Sequence, residues 1–418
     1  MEGEKNLMIN VFTAPYLFDG EKIIEDGAIA FNGKILFVGN KENVLSHLNV
    51  AEYQLRNYAN GFIMPGLVNS HLHFEVRQVY GTLQKNLTLT DADEAFRAAR
   101  SALVCLRDGV TAARDMGHRN NVQWDLKKAV DNGTVMGPKI RASRGAIVMN
   151  YGHGHLSGWN VKSLDEALAN IRQQASEGAD FIKILVSHDD LPNVKDPDLC
   201  VPWWELDQLK AMSDLAHRCG IKITGHICGR RAIQMAIDAG FDGIEHGGCM
   251  TEEEAIQIAD KGIVVCPTLT AYKQNADTRW NRGEFFHARS KESWKRQHES
   301  VKFAVKHKCR IVTGTDNQGN LAEECQLLRE AGMDSLDVLK CVTKNGAQYL
   351  EFYDTGELNE GLCADIAVVE GNPIKNMLDL GNVITVVKDG YTLDSDTIRN
   401  LIPASPLFKD DPYRDNSL

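Results

Sequence analysis

The sequence predicts an α/β protein: a (β/α)8 TIM barrel with a small β-sandwich domain assembled from both chain ends. Three observations predict it. Between residues 63 and 354, short apolar runs alternate with longer stretches of helical periodicity, the order that builds a parallel sheet covered by helices. Eight such runs recur over roughly 290 residues, the span of a closed barrel; a doubly wound open sheet is the alternative, though no GxGxxG or GxxxxGK(S/T) fingerprint follows an early strand. The two ends share a different texture, short strands broken by tight turns, with too few strands on either side to bury a core alone.

The N-terminal part of the sandwich is expected over residues 1–62. Asp19-Gly20, Asp26-Gly27 and Asn32-Gly33 are hairpin-type turn signals between apolar or alternating runs such as 28–31 and 35–38. The C-terminal part is expected over 355–402, where residues 363–369 and 383–387 read as strands and Lys388-Asp389-Gly390 as a turn. Within the barrel the predicted strands are 67–74, 110–114, 139–143, 181–185, 222–226, 243–246, 263–267 and 310–316. The predicted helices include 91–106, 163–176, 203–218, 231–239, 251–259, 293–306 and 336–349. Gly109, Gly178, Gly220, Gly240, Gly262 and Gly332 stand where helix C-caps belong. Residues 272–297 are polar and rich in Trp, Arg and His, and read as an oversized loop, a candidate lid or oligomer contact. Residues 403–418 read as a charged, Pro-rich tail.

Composition narrows the function classes. The 418 residues are 43% hydrophobic and 25% charged, with a net charge of −11. An acidic balance argues against nucleic acid or an anionic membrane as partner, and leaves a small-molecule substrate, with homo-oligomerisation open. Ten cysteines carry no CxxC spacing, as expected of reduced thiols in a cytoplasmic protein. No signal peptide or membrane-length apolar run is evident.

The chemistry gathers around Pro65-Gly66-Leu67-Val68-Asn69-Ser70-His71-Leu72-His73. On a strand, His71 and His73 point to the same face, and paired imidazoles can share a zinc, nickel, copper or iron ion. Active sites in barrels of this kind lie at the C-terminal strand ends, where His226, His246 and Asp316 also fall. Lys183 sits inside the apolar run Phe181-Ile182-Lys183-Ile184-Leu185, where an ammonium is costly to desolvate. A neutral lysine can take up CO2 as an anionic carbamate with two oxygens. Four histidines, one carbamate and one aspartate suffice for two metal ions.

This set resembles the amidohydrolase superfamily, most closely its prolidase-like (Xaa-Pro dipeptidase) and imidazolonepropionase-like branch. The matching residues are the Pro65–His73 stretch, Lys183, His226, Ile244-Glu245-His246, Gly314-Thr315-Asp316 and the closing Gly361-Leu362-Cys363-Ala364-Asp365-Ile366-Ala367-Val368. Thr111-Ala112-Ala113-Arg114-Asp115-Met116-Gly117 and Gly152-His153-Gly154-His155 look like the branch. The resemblance implies that His71, His73 and Asp316 hold one metal ion, that His226 and His246 hold a second, and that carbamylated Lys183 bridges them. The ions implied are Zn2+, sharing a hydroxide that attacks a C–N bond of an amide, peptide or cyclic amide. Asp316 is implied as general base and then acid, His153 as the substrate grip, with Tyr151 and Arg230 as further substrate contacts and Arg114 as a brace.

The chain departs from the branch in two places. Related dipeptidases carry a tyrosine two residues after the strand-five histidine, to polarise the scissile carbonyl; here Cys228 stands there. The loop after Lys183 reads Ser187-His188-Asp189-Asp190 instead of Ser-Gly-Gly. The alternative reading is a one-metal deaminase of a nitrogen heterocycle, but Ile227-Cys228-Gly229-Arg230 after His226 lacks the proton-shuttling acid such enzymes use. Basic groups near the expected mouth (Arg114, His118, His153, His155, Arg230) hint at an anionic substrate.

Overall fold

In the computed structural model, residues 8–48, 52–74, 89–188, 196, 198, 200–277, 284–316, 320–394, 396, 397 and 400 are described. Two compact units emerge. One comprises Met1–Val68, Leu103–Ala112 and Asp334–Leu418, the other Asn69–Ala102 and Ala113–Met333. The expected tail 403–418 lies outside the described residues.

The first unit is built on an eight-stranded sheet that draws on both chain ends. Its order is Tyr391–Asp394, Val383–Lys388, Ile366–Glu370, Gly61–Pro65, Ile9–Phe18, Ile23–Phe31 and Ile35–Asn40, with Tyr53–Asn57 also paired to Ile9–Phe18. The join is the antiparallel pairing of Ile366 with Pro65 through Glu370 with Gly61. Phe12, Leu17, Ile29, Phe31, Ile63, Ile366, Val368 and Val387 form one buried cluster, each large side chain contributing about 1.5–3 kcal/mol. The turn at Lys388-Asp389-Gly390 lies so close to Asn32-Gly33 that a Cβ on Gly390 would sit 2.2 Å from Gly33 Cα, which is why glycine occupies both tips.

The second unit carries the parallel strands. Trp159–Val161, Ile147–Met149, Phe181–Leu185, Lys222–Cys228, Gly243–Gly248, Val264–Cys266 and Arg310–Ile311 form a seven-stranded sheet in that order, parallel throughout. Its apolar runs are buried on both faces, as helix-covered parallel strands must be. Leu67–Leu72, Val110–Asp115 and Lys139–Ala142 form a three-stranded sheet. Backbone bonds link it to residues flanking two strands of the larger sheet: Asp180 N–H, just before Phe181–Leu185, donates to Ala142 O at 3.1 Å, and Ser70 N–H donates to Thr313 O, just after Arg310–Ile311, at 2.8 Å.

Caps bound the helices where side chains allow. Ser163 caps Leu164–Ser176, and Thr251 with Glu254 forms a capping box on Glu252–Lys261. Gly240 and Gly262 close their helices in the left-handed region. Among the described residues, four α-helices are absent from the sequence reading: Lys41–His47, Val122–Asp131, Leu269–Ala276 and Leu321–Glu330.

The expected loop at 272–297 is corrected. Leu269–Ala276 and the 23-residue helix Glu284–Lys306 cover most of it, while 278–283 lie outside the described residues. Its polar residues form a solvated helix face, and its few buried ones act as props. Gln297 Nε2 donates to His246 O at 2.6 Å and to Pro267 O at 2.9 Å, and Ser300 Oγ accepts from Met250 N–H at 2.9 Å. The segment thus braces the ends of two strands. No helix among the described residues is long and apolar enough to cross a membrane.

Candidate active site

The first core strand delivers His71 fully buried and His73 partly exposed. Their Nε2 atoms each lie 3.5 Å from Oδ1 of Asp316. Donors about 2.1 Å from a tetrahedral ion stand about 3.4 Å apart, so the spacing of these three fits one divalent cation. The backbone is arranged around them. Thr315 and Asp316 N–H both reach His71 O, at 3.1 and 2.9 Å. Gly314 leaves room for this: a Cβ there would sit 2.6 Å from His71 Cβ and 2.7 Å from Cys266 Sγ.

His226 and His246 complete an imidazole group. The His226 and His246 ring centroids are 4.5 Å apart, and those of His71 and His246 are 5.0 Å apart. Two of the candidate ligands lie in the left-handed region, His246 at φ 71° and Asp316 at φ 49°. Such strain in residues other than glycine concentrates at functional sites and must be held by its surroundings. Here Thr268 Oγ1 lies 2.7 Å from His246 Nδ1.

Glu245 stands in the matching motif Ile244-Glu245-His246, but the sequence assigns it no role. Its buried carboxylate accepts from His71 Nδ1 at 2.7 Å, from Arg114 Nη2 at 2.6 Å and from Thr224 Oγ1 at 2.5 Å. The bond to Nδ1 sets the His71 tautomer and frees Nε2 to face Asp316. Arg114 also donates to Ser70 O at 2.6 Å, so it braces the strand that carries His71. A signal existed, the acid directly before His246. Strand alternation, however, puts neighbours on opposite faces, and only the turned backbone at His246 lets both approach His71.

Electrostatics favour ligand-ready protonation states. Burial raises the Asp316 carboxyl, but the adjoining His71 and His73 outweigh it and hold it well below the usual range. Burial likewise raises Glu245, and Arg114 and His71 more than reverse this. Burial and the neighbouring imidazoles push His246 well down, leaving a neutral ring. Lys183 is buried, and loss of hydration lowers it to about 8 against the opposing pull of Glu245. Cys266 also lies within metal-ligand distance of His71 and Glu245, but burial pushes its thiol well up, and Glu245 is already saturated by donors.

His153 reaches the group, its ring stacked on His226 at 4.4 Å and 18°. Beyond it, His188 lies 5.8 Å from His153, and Trp203 lies 5.7 Å from His188. Tyr151 and Arg230, the other expected substrate contacts, are placed differently. Tyr151 is 75% exposed, and Arg230 Nε donates to Asp198 at 2.6 Å. His118 binds Asn120 Oδ1, and His155 its own loop at Gly152 O. Of the charges that hinted at an anionic substrate, Arg114, His118, His155 and Arg230 are therefore engaged locally.

Behind His246, Glu324 is buried and accepts from Leu269 and Thr270 N–H at 2.9 and 2.8 Å. Burial raises its carboxyl to about 7, the backbone donors only partly opposing. Because the folded state holds this proton more tightly than an ordinary carboxyl at 4.5, the stability it confers is complete below that value and is lost as pH rises towards 7. Glu324→Gln removes this dependence. The wild-type melting temperature should fall relative to the variant between these values, by the equivalent of roughly 3 kcal/mol. Parallel curves in a pH-resolved thermal melt would contradict the assignment.

Comparison with known proteins converges on one family. Residues 62–393 match the model of the Amidohydrolase family. Ochratoxinase of Aspergillus niger is 26% identical over 412 residues, covering 86% of this chain and 80% of that protein. A Xaa-Pro dipeptidase solved with methionine in its active site superposes with a TM-score of 0.81 at 24% identity, covering 92% of this chain and 100% of that one. The crystal structure of A. niger ochratoxinase superposes equally well, with a TM-score of 0.81 at 23% identity, covering 93% and 96%. With a family model spanning most of its length and the histidine, lysine and aspartate set on its strand ends, the chain belongs to the amidohydrolase family and is a hydrolase acting on C–N bonds.

Proposed function

We propose that this protein is a binuclear metal hydrolase that cleaves the amide, peptide or cyclic-amide bond of a small substrate. The observation that carries the proposal is the 3.5 Å approach of both His71 and His73 Nε2 to Asp316 Oδ1, beside the His226–His246 pair. In this reading residues 63–354 form a closed (β/α)8 barrel, supported by the Ser70–Thr313 and Asp180–Ala142 bonds. Residues 1–62 and 355–402 form the two parts of a β-sandwich, supported by the sheet they share.

His71, His73 and Asp316 would hold one ion, and His226 and His246 a second. A CO2-derived carbamate on Lys183 would bridge them, which the lysine's burial and lowered basicity favour. Zn2+ suits the imidazole and carboxylate donors. Bound divalent ions supply Lewis acidity to the substrate carbonyl and make water nucleophilic near neutral pH. Asp316, kept ionised by its neighbours, accepts the proton of the attacking water and delivers it to the leaving nitrogen. Glu245 and Arg114 hold His71 in its ligand tautomer. His153, stacked on His226, orients a carbonyl or carboxylate oxygen of the substrate. The likeness to ochratoxinase and to a Xaa-Pro dipeptidase makes N-acyl amino acids and dipeptides the first substrates to try.

The test is elemental analysis of chelator-free wild type and Lys183→Ala, alongside a panel of dipeptides, N-acyl amino acids and cyclic amides. About two ions per chain are expected in the wild type, with metal content and turnover falling together in the variant. A single ion per chain, untouched by the substitution, would overturn the binuclear reading in favour of a one-metal deaminase.

A further inference from the structure

A phenol comes to position 228 from another element. Tyr272 lies on the helix Leu269–Ala276, and its hydroxyl oxygen is 2.9 Å from Cys228 Sγ. Cys228 ends the strand that carries His226, and the Tyr272 ring centroid is 6.0 Å from that of His246. Gly248, at the end of the next strand, borders the pair. A Cβ on it would stand 3.6 Å from the Tyr272 hydroxyl and 3.9 Å from Cys228 Sγ.

The start of the helix that carries Tyr272 is anchored beside a candidate ligand. Thr268, immediately before the helix, meets His246 Nδ1 at 2.7 Å, and Glu324 accepts from the helix's first two N–H groups.

We propose that Tyr272 is a catalytic residue, donating a hydrogen bond to the substrate carbonyl oxygen as that oxygen gains negative charge; the assignment rests on the hydrolase reading above. A phenolic O–H is a neutral donor, and a fixed donor aimed at developing charge in a water-poor site is worth far more than in solution. Bookkeeping is simple: water oxygen bonds to the carbonyl carbon, the C–N bond breaks, and Asp316 carries the proton to nitrogen. Tyr272 keeps its own proton throughout.

The test uses full-length, metal-loaded protein and the panel substrate that wild type turns over fastest. Tyr272→Phe should lower kcat by about 10²- to 10³-fold, with KM and metal content little changed. Adding Cys228→Tyr to that variant, which returns a phenol two residues after His226, should recover at least about tenfold of the loss. A second readout is binding of a phosphonate analogue of N-acetyl-phenylalanine, a tetrahedral oxyanion mimic, measured by calorimetry. Tyr272→Phe should weaken it by about tenfold or more while binding of free phenylalanine is unchanged. An active wild type matched by Tyr272→Phe in kcat and in phosphonate affinity overturns the Tyr272 assignment alone. A wild type that neither turns over the panel nor binds the phosphonate overturns the hydrolase reading and this assignment with it.

Discussion

Replacing Asp316 with asparagine should lower kcat/KM by about 10³- to 10⁴-fold while leaving the fold intact. Two losses combine. Asparagine has no carboxylate to take a proton from water and return it to nitrogen, a role worth about 10²- to 10⁴-fold. It is also a weaker donor beside the two Nε2 atoms at 3.5 Å. The fold should survive because the shape is unchanged and the backbone N–H of Asp316 still bonds His71 O. Steady-state kinetics and circular dichroism decide the matter. A variant within about tenfold of wild type would remove Asp316 from proton transfer.

Glu245 should be the most sensitive position behind the ligands, and two substitutions separate its effects. Glu245→Leu leaves the Arg114 guanidinium buried without its carboxylate, a loss of about 3–5 kcal/mol, so this variant should melt roughly 10 °C lower or fail to fold. Glu245→Gln keeps the shape. Its oxygen can still accept from Arg114 and Thr224, but its amide then turns an N–H toward His71 Nδ1. That forces the imidazole proton onto Nε2, the nitrogen that faces Asp316. Metal affinity should fall by about 10- to 100-fold with little change in melting. Chelator titration followed by elemental analysis is the measurement, and retention of metal equal to wild type would show that the tautomer is not set by Glu245.

Much of the site is legible in sequence because its signals are local. His71 and His73 share a face by the alternation of a strand, and the structure brings their Nε2 atoms to equal distances from Asp316. Lys183 stands out because an ammonium is anomalous in an apolar run, and it is buried as that run implies. The helix-ending glycines announce a left-handed residue, and all six adopt positive φ.

Other features were hidden because they depend on distance in sequence. Residues 272–297 read as a loop since a solvated helix face and a polar loop have the same composition. What distinguishes them is Gln297, which meets His246 O and Pro267 O from 51 and 30 positions away. Arg230 meets Asp198 and Arg114 meets Glu245 across 32 and 131 positions, pairings that no local pattern displays.

By itself, then, the sequence determined the alternation of strand and helix, the sharing of one sheet texture by both ends, and the identity of the metal-ligand types. Patterning of period 2 and 3.6 and donor spacing are properties of neighbouring residues. Tertiary structure alone decided that Glu245 meets His71, that Thr268 meets His246 while Glu324 binds the start of the helix after Thr268, and that Tyr272 comes to Cys228 across 44 positions. These contacts arise where separate strand ends meet, on a backbone turned to φ 71° at His246 and 49° at Asp316, a departure from extended geometry that no local periodicity encodes.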